Sequence, residues 1–217
     1  MQDLHEALTA LQFGGAMVYP LLAMALLALV ITLDKLYVYW RYVRLPQSLL
    51  NLVETYGFDW SVLDAELGKL AEGNYFGRFF GVIAENKSKP AWWVESRAGD
   101  EAQLIEKALS RGLWVLETVT TAAPLLGLLG TITGMMNSFK LIGGSGLVDP
   151  TGITGGVAQA LIATALGLCI AVLSLFAYNF FSRRQSQTLD EMERLGTRLI
   201  DNIRLGEHER GTAHETA

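Results

Sequence analysis

The chain has 217 residues, of which 51% are hydrophobic and 18% are charged, and its formal net charge is −5. This composition indicates a membrane protein with several spans and a sizeable water-soluble part. No dense basic block is present, so nucleic acid is not an expected partner. The one cysteine, Cys169, cannot form an internal disulfide.

The first elements in chain order are a short amphipathic segment and a long apolar one. Within residues 1–15, Leu4, Leu8 and Leu11 have helical spacing. This spacing predicts an amphipathic helix that lies at the membrane–water interface, on the non-cytoplasmic side. Residues 16–39 are apolar and exceed the roughly 20 residues that cross a bilayer. Because the chain starts with acidic residues and Asp34-Lys35 follows the apolar run, we expect a retained transmembrane helix, not a cleaved signal peptide.

Residues 40–111 form a polar loop with its own helical patterns. Apolar residues recur at helical spacing in two runs, Leu49, Leu50 and Val53, then Leu63, Leu67 and Leu70. A third run places apolar residues on one face from Ala102 to Leu116, namely Leu104, Ile105, Ala108, Leu109, Leu113 and Leu116. This run predicts that the second membrane helix begins before the bilayer, near Asp100, whose carboxylate would cap it.

Two further apolar segments, residues 112–142 and 153–181, predict transmembrane helices 2 and 3, joined by a short turn over residues 143–152. The tail, residues 182–217, continues a helical apolar stripe, with a disordered end expected from about Gly206. The stripe consists of Leu189, Met192, Leu195, Leu199 and Ile203. The predicted fold is therefore all-α, with three membrane helices, of which the second and third extend into the cytoplasm.

The distribution of basic residues predicts the orientation, because Lys and Arg near helix ends favour the cytoplasmic side. The cations follow the first span and the third, and they also precede the second. We expect the membrane-interface cations to be Lys35, Arg41, Arg44, Arg183 and Arg184. The N-terminus is then outside and the C-terminus inside.

From Pro124 onward, the apolar stretches of the second and third spans contain small uncharged polar residues but no carboxylate or histidine. This pattern is typical of helices that line a polar path, and if ions move along it, another polypeptide must supply the titrating group. Small residues also recur at helical spacing, which lets helix backbones approach closely. They are Gly127, Gly130, Gly134, Gly156, Ala160 and Gly167. These faces pack either between neighbouring copies in a ring, which we favour because three spans cannot easily enclose a pore, or within one chain.

Two motifs carry a family resemblance. PLLGLLGTITGMMNSF (124–139) and GGVAQALIATALGLCI (155–170), followed by Tyr178-Asn179, resemble the ExbB/TolQ/MotA proton-channel family, most closely its ExbB branch. The resemblance implies a homo-oligomeric ring, a pentamer, in the bacterial inner membrane, with the N-terminus periplasmic and the C-terminus cytoplasmic. Its expected partners are membrane lipids, a TonB-like protein and a single-span ExbD-like protein whose membrane aspartate carries the proton.

The resemblance also implies site residues. Thr131 and Thr164 match the threonines that line the family's pore, and we add Gln159 and Ser138 to the predicted pathway. Gln159 stands where many family members have glutamate, and an amide cannot titrate, so any proton relay by that glutamate does not carry over.

Other functions are weighed against this one. A TolQ-like subunit of the Tol-Pal envelope system shares the motifs, whereas a MotA-like flagellar stator resembles a four-span chain. A passive membrane scaffold would need no polar path. An enzyme is not expected, and neither is a metal or cofactor, because His5, His208 and His214 lie in terminal segments away from any catalytic constellation.

Overall fold

The structure, a computed structural model, describes residues 16–54, 59–140 and 150–215. Within these ranges every regular element is an α-helix, and three helical stretches are long and apolar enough to cross a membrane. The all-helical class is thereby confirmed, and so is the presence of three membrane-capable helices. The helices are α1 (Val18–Tyr42), α2 (Gln47–Glu54), α3 (Trp60–Leu67), α4 (Tyr75–Glu85), α5 (Ala91–Ser110), α6 (Leu113–Lys140) and α7 (Pro150–Glu215).

Some predicted segments fall outside the described residues. These are the amphipathic helix of residues 1–15 and residues 143–149 of the predicted turn, whereas residues 150–152 belong to α7. The chain divides into two compact units, one made of Met1–Leu33 with Gly112–Phe181 and the other of Asp34–Arg111 with Ser182–Ala217.

The first unit combines the apolar parts of α1, α6 and α7. Small side chains such as Ala123 and Ala163 are buried between the helices, while large ones such as Leu125 and Leu168 are exposed. A water-soluble unit would bury the large residues. Helices surrounded by lipid gain nothing from doing so and pack through small residues instead.

The second unit has a conventional apolar core. It is formed by α2 to α5 and the C-terminal part of α7, whose predicted stripe supplies Met192, Leu195, Leu199 and Ile203, all buried. Side-chain caps start two of its helices: Asp59 accepts from the backbone N–H of Ser61 (2.9 Å) before α3, and Asn74 accepts from Gly77 (3.1 Å) in α4. The Ser61 hydrogen bond also lowers the pKa of Asp59.

The predicted continuous helix through residues 102–116 is interrupted in the structure. It divides into α5 and α6, with Gly112 at φ +84°, a left-handed conformation that glycine adopts readily. Asp100 lies inside α5 and does not cap a helix. Lys35 stabilises the break, because its ammonium donates to the carbonyl oxygens of Leu109 (2.7 Å) and Ala108 (3.5 Å), acceptors that the end of α5 leaves unpaired.

The chain end also differs from expectation. We predicted disorder from about Gly206, but α7 continues to Glu215. The carboxylate of Glu207 accepts a hydrogen bond from the backbone N–H of Ala91 (3.2 Å), the first residue of α5. A carboxylate at a helix N-terminus is stabilised by the unpaired N–H groups there, and it holds α7 in place beyond Gly206.

Candidate functional site

The predicted small residues form one seam between α6 and α7. A Cβ atom added to Gly127 would lie 2.9 Å from the carbonyl oxygen of Ala163, and one on Gly167 would lie 2.5 Å from that of Ala123. A Cβ added to Gly134 would lie 3.0 Å from the carbonyl oxygen of Gly156. These distances leave no room for a larger side chain.

The same seam involves the other small residues. A Cβ on Gly130 would meet the Cβ of Ala163 at 2.6 Å, and one on Gly134 would meet that of Ala160 at 3.1 Å. All of these contacts lie within one chain. These contacts correspond to the intrachain alternative of the prediction, whereas packing between copies in a ring stays a prediction.

Thr164 lies on the seam and ties the two helices together. Its hydroxyl donates to the carbonyl oxygen of Gly127 across the helix pair, at 3.1 Å. Thr131, one turn after Gly127 on α6, is half-buried and donates to the carbonyl oxygen of Leu128 at 2.7 Å. The two threonines therefore lie about one helical turn apart along the helix pair.

Both hydroxyls already donate their single proton to the main chain. A hydroxyl has one donor and two lone pairs, so each threonine presents only acceptors to a group beside it. An acid that carries its proton fits this arrangement directly. An ionised carboxylate does not, unless a hydroxyl rotates away from its carbonyl.

The other two predicted pathway residues lie further along the seam. Ser138 is buried and donates to the carbonyl oxygen of Gly134 at 3.1 Å, and a Cβ on Gly156 would overlap its Oγ. Ser138 therefore belongs to the helix contact. Gln159 is half-buried, and its amide makes no hydrogen bond within the described residues, which leaves its donors and acceptor available.

The predicted interface cations do not all have the same environment. Arg41 and Arg44 are exposed and lie over the rings of Tyr42 (5.7 Å) and Trp40 (5.9 Å), and Arg183 and Arg184 are exposed on α7. Lys35 is only 2% exposed and is directed at the end of α5. Its predicted interfacial role therefore requires correction: the ammonium binds main-chain carbonyls.

The carbonyl of Thr120 is a further polar group of this unit, and the pathway predicted from the sequence does not include it. Pro124 lies inside α6 and has no backbone N–H, so it cannot donate to the carbonyl of Thr120, one turn earlier. This removes a main-chain hydrogen bond within an apolar span. The signal was present in the sequence, since a proline in the middle of a membrane helix always releases one carbonyl acceptor.

Comparison with known proteins identifies relatives of this chain. A sequence profile of the MotA/TolQ/ExbB proton channel family matches residues 74–194. The putative biopolymer transport protein ExbB-like 3 of Synechocystis is 30% identical over 175 residues, which cover 77% of this chain and 81% of that protein. The ExbB-like 1 protein of the same organism is 29% identical over 191 residues, 86% of this chain and 74% of the relative.

A shorter match has a higher identity. The biopolymer transport protein ExbB of Aquifex aeolicus is 44% identical over 93 residues, 43% of this chain and 62% of that protein. The chain belongs to the MotA/TolQ/ExbB proton channel family, within which it is most similar to the ExbB proteins.

Proposed function

We propose that the chain is the ExbB-like subunit of a proton-driven motor in the bacterial inner membrane. In this proposal several copies, five by the family resemblance, surround the single membrane helix of an ExbD-like partner. The motor uses the proton motive force to drive a TonB-like protein that energises outer-membrane transport. The chain itself is no enzyme: it guides protons and transmits force without making or breaking covalent bonds.

One observation supports this function most directly. The α6 and α7 spans carry hydroxyl and amide groups on a tight helix pair but no carboxylate, histidine, lysine or arginine from Thr118 to Phe139 or from Pro150 to Ser182. Hydroxyls can solvate a titrating group but cannot themselves carry a proton at neutral pH. A partner helix with an aspartate completes the path.

The threonines then act on that aspartate in two ways. When it is protonated, its O–H donates to a lone pair of Thr131 or Thr164 without any change in the seam. When it is ionised, a threonine hydroxyl rotates from its carbonyl toward the carboxylate. This exchanges a neutral hydrogen bond worth about 0.5–1.5 kcal/mol for a charged one worth about 1.5–3 kcal/mol.

These hydrogen-bond free energies are comparable to the cost of placing a charge within the membrane. A charge at the centre of a membrane helix costs about 2.5–3.5 kcal/mol on insertion scales. Two hydroxyl contacts offset a cost of this size without trapping the charge in a deep minimum. The aspartate can therefore change its protonation state within the pore.

The relatives favour the TonB-linked role over the alternatives. A TolQ-like role in the Tol-Pal system and a MotA-like stator use related motifs, but the curated relatives described above are named as biopolymer transport proteins of the ExbB type. The proposed orientation, with the N-terminus periplasmic and the C-terminus cytoplasmic, agrees with the exposed Arg41, Arg44, Arg183 and Arg184.

The experiment that tests this function compares the chain with and without a partner. The chain is reconstituted in liposomes containing a pH-sensitive dye, alone and with a co-expressed single-span protein that carries a membrane aspartate. We expect proton flux under an imposed gradient only from the complex, and its loss when the aspartate is changed to asparagine. Equal flux from the chain alone, or no stable complex with any such partner, would contradict the proposal.

A further inference from the structure

A groove on the second unit is not used by the proton path. It has a volume of about 340 Å³ and lies between α4, α5 and α7. Its floor is apolar, and carboxylates lie at its edges. The apolar lining comes from Phe79, Ala98, Ala102, Leu189 and Ile200, and the acidic lining from Glu95, Glu106 and Glu193. We call this surface the acidic groove.

Two of the three carboxylates lack a counter-charge. Glu95 pairs with Arg204 at 2.6 Å. Glu106 and Glu193 form no ion pair within the described residues. A groove with an apolar floor and two unpaired carboxylates fits an occupant that is apolar in the middle and cationic beside it.

The register of the helices places both free carboxylates at one level. The Ala91 N–H to Glu207 contact (3.2 Å) and the Glu95 to Arg204 ion pair (2.6 Å) show that α5 and α7 are antiparallel. Counting along both helices from these contacts brings Glu106 opposite Glu193. Two like charges that face one groove at one level reinforce the preference for a cation between them.

The opposite face of α5 has the complementary chemistry. Leu104 is 57% exposed, although the sequence pattern placed it with buried Ile105. It is two residues from Ala102 and from Glu106, and so lies about 200° around the helix from each. Lys107, at i+3 from Leu104, shares its face and is exposed. We call Leu104 and Lys107 the basic ridge.

We propose that the basic ridge of one copy docks in the acidic groove of the next copy, with Leu104 on the apolar floor and Lys107 between Glu106 and Glu193. This inference rests on the ring in the proposed function and identifies the surfaces that form it. Two different faces on opposite sides of one helix give a head-to-tail contact, which generates a closed ring when the rotation closes.

The heights and the available space agree with this docking. In a ring whose axis runs along α5 and α7, equivalent residues of all copies lie at the same height. Lys107 is one residue beyond Glu106, about 1.5 Å along the helix, so it reaches the carboxylates of a neighbour without a shift. A Cβ added to Gly99, in the groove, would meet no atom within 4 Å, so the groove has room for a leucine side chain.

Disulfide cross-linking in membranes tests the contact. In a Cys169→Ala background, we combine Leu104→Cys with Thr197→Cys, a groove residue at nearly the same height on α7. Leu104 faces away from the groove of its own chain, so a disulfide must join two copies. We expect an oxidation-dependent ladder from dimer to the full ring, which each single variant and the matched pair Val62→Cys with Thr197→Cys fail to give.

Two further variants test the groove without damage to the fold. Gly99→Leu fills open space in a helix and should abolish most of the cross-linked ladder, whereas Gly81→Leu, equally unhindered on α4 but outside the groove, should leave it unchanged. Lys107→Glu should reduce the ladder at least tenfold, and the added Glu193→Lys should restore it.

The outcomes separate this inference from the proposed function. An intact ring in native mass spectrometry without the Leu104 to Thr197 ladder overturns the docking surfaces and leaves the motor proposal standing. A chain that stays monomeric in membranes overturns both. A cross-link from Thr197→Cys to a different polypeptide, in place of the ladder, assigns the groove to a partner protein and also overturns the inference.

Discussion

At the scale of single residues, the hydroxyls of the membrane unit are already engaged. Thr131 and Thr164 each donate to a carbonyl, so they differ from free hydroxyls in what they offer a neighbouring acid. Thr164 has a second role as a link between two helices, whereas Thr131 bonds only its own helix. Gln159, without such a bond within the described residues, is the group that can hydrate the path but not titrate.

This difference predicts unequal effects of substitution. Thr131→Val should lower proton flux about tenfold, equivalent to about 1.4 kcal/mol, because an acceptor on the proposed path is lost. Complex yield should stay normal, because the lost bond to Leu128 lies within one helix. Thr164→Val should lower flux and also the thermal stability of the complex, because the bond to Gly127 is lost. Thr→Ser at either position should retain most activity. Flux is measured with the dye-loaded liposomes, and full activity of both valine variants would exclude these threonines from the path.

At the scale of elements, the α6–α7 pair depends on the close approach of the two helix backbones. Gly127, Gly134 and Gly167 are close to carbonyl oxygens of the facing helix, so the pair has little tolerance for added volume. The break between α5 and α6, by contrast, is stabilised by a long side chain. There Lys35 replaces the main-chain donors that a continuous helix would supply.

We expect Gly134→Leu to separate α6 from α7 and to reduce the yield of folded protein severely, since overpacking typically costs 1–3 kcal/mol or more. Gly155→Leu is the matched control, because a Cβ there meets no atom within 4 Å. Yield and melting temperature in detergent are the measurements. A Gly134→Leu protein as stable as the control would show that the seam is looser than described.

Lys35→Met should lower the free energy of unfolding by about 1–3 kcal/mol, because the carbonyl of Leu109 then has no donor in an apolar setting. Arg41→Met, which removes an exposed cation from the same helix, should change stability by less than about 0.5 kcal/mol. Thermal unfolding in detergent compares the two. Equal effects would mean that Lys35 acts through charge alone.

At the scale of the whole molecule, the distribution of basic residues bears on the proposed orientation of the chain in the membrane. The exposed cations at Arg41, Arg44, Arg183 and Arg184 favour the side that follows α1 and the apolar part of α7 as cytoplasmic. In the proposed motor, this orientation would direct protons from the periplasm to the cytoplasm.

Site-directed labelling checks that orientation. In a Cys169→Ala background, Ser145→Cys, between α6 and α7, should react with an impermeant thiol reagent in intact spheroplasts. Ser186→Cys, on the tail side of the third span, should react only after the membrane is opened. The reverse pattern would invert the chain and would remove the support for its proposed direction of proton entry.

The sequence by itself determined the class, the spans and the family, because each depends on local pattern. About 20 apolar residues make a span in any context, the stripe from Met192 to Ile203 has helical period, and the motifs around Thr131 and Thr164 are contiguous. Those features need no knowledge of which helix faces which.

Only the tertiary structure decided how those pieces are used. The small residues of α6 and α7 contact each other within one chain, Lys35 caps α5 across more than 70 residues of sequence, and Leu104 lies outside the core while adjacent Ile105 lies within it. Periodicity assigns a residue to a face but not to a partner. The partner depends on helix pairing and on where unpaired carbonyls fall, which long-range contacts determine.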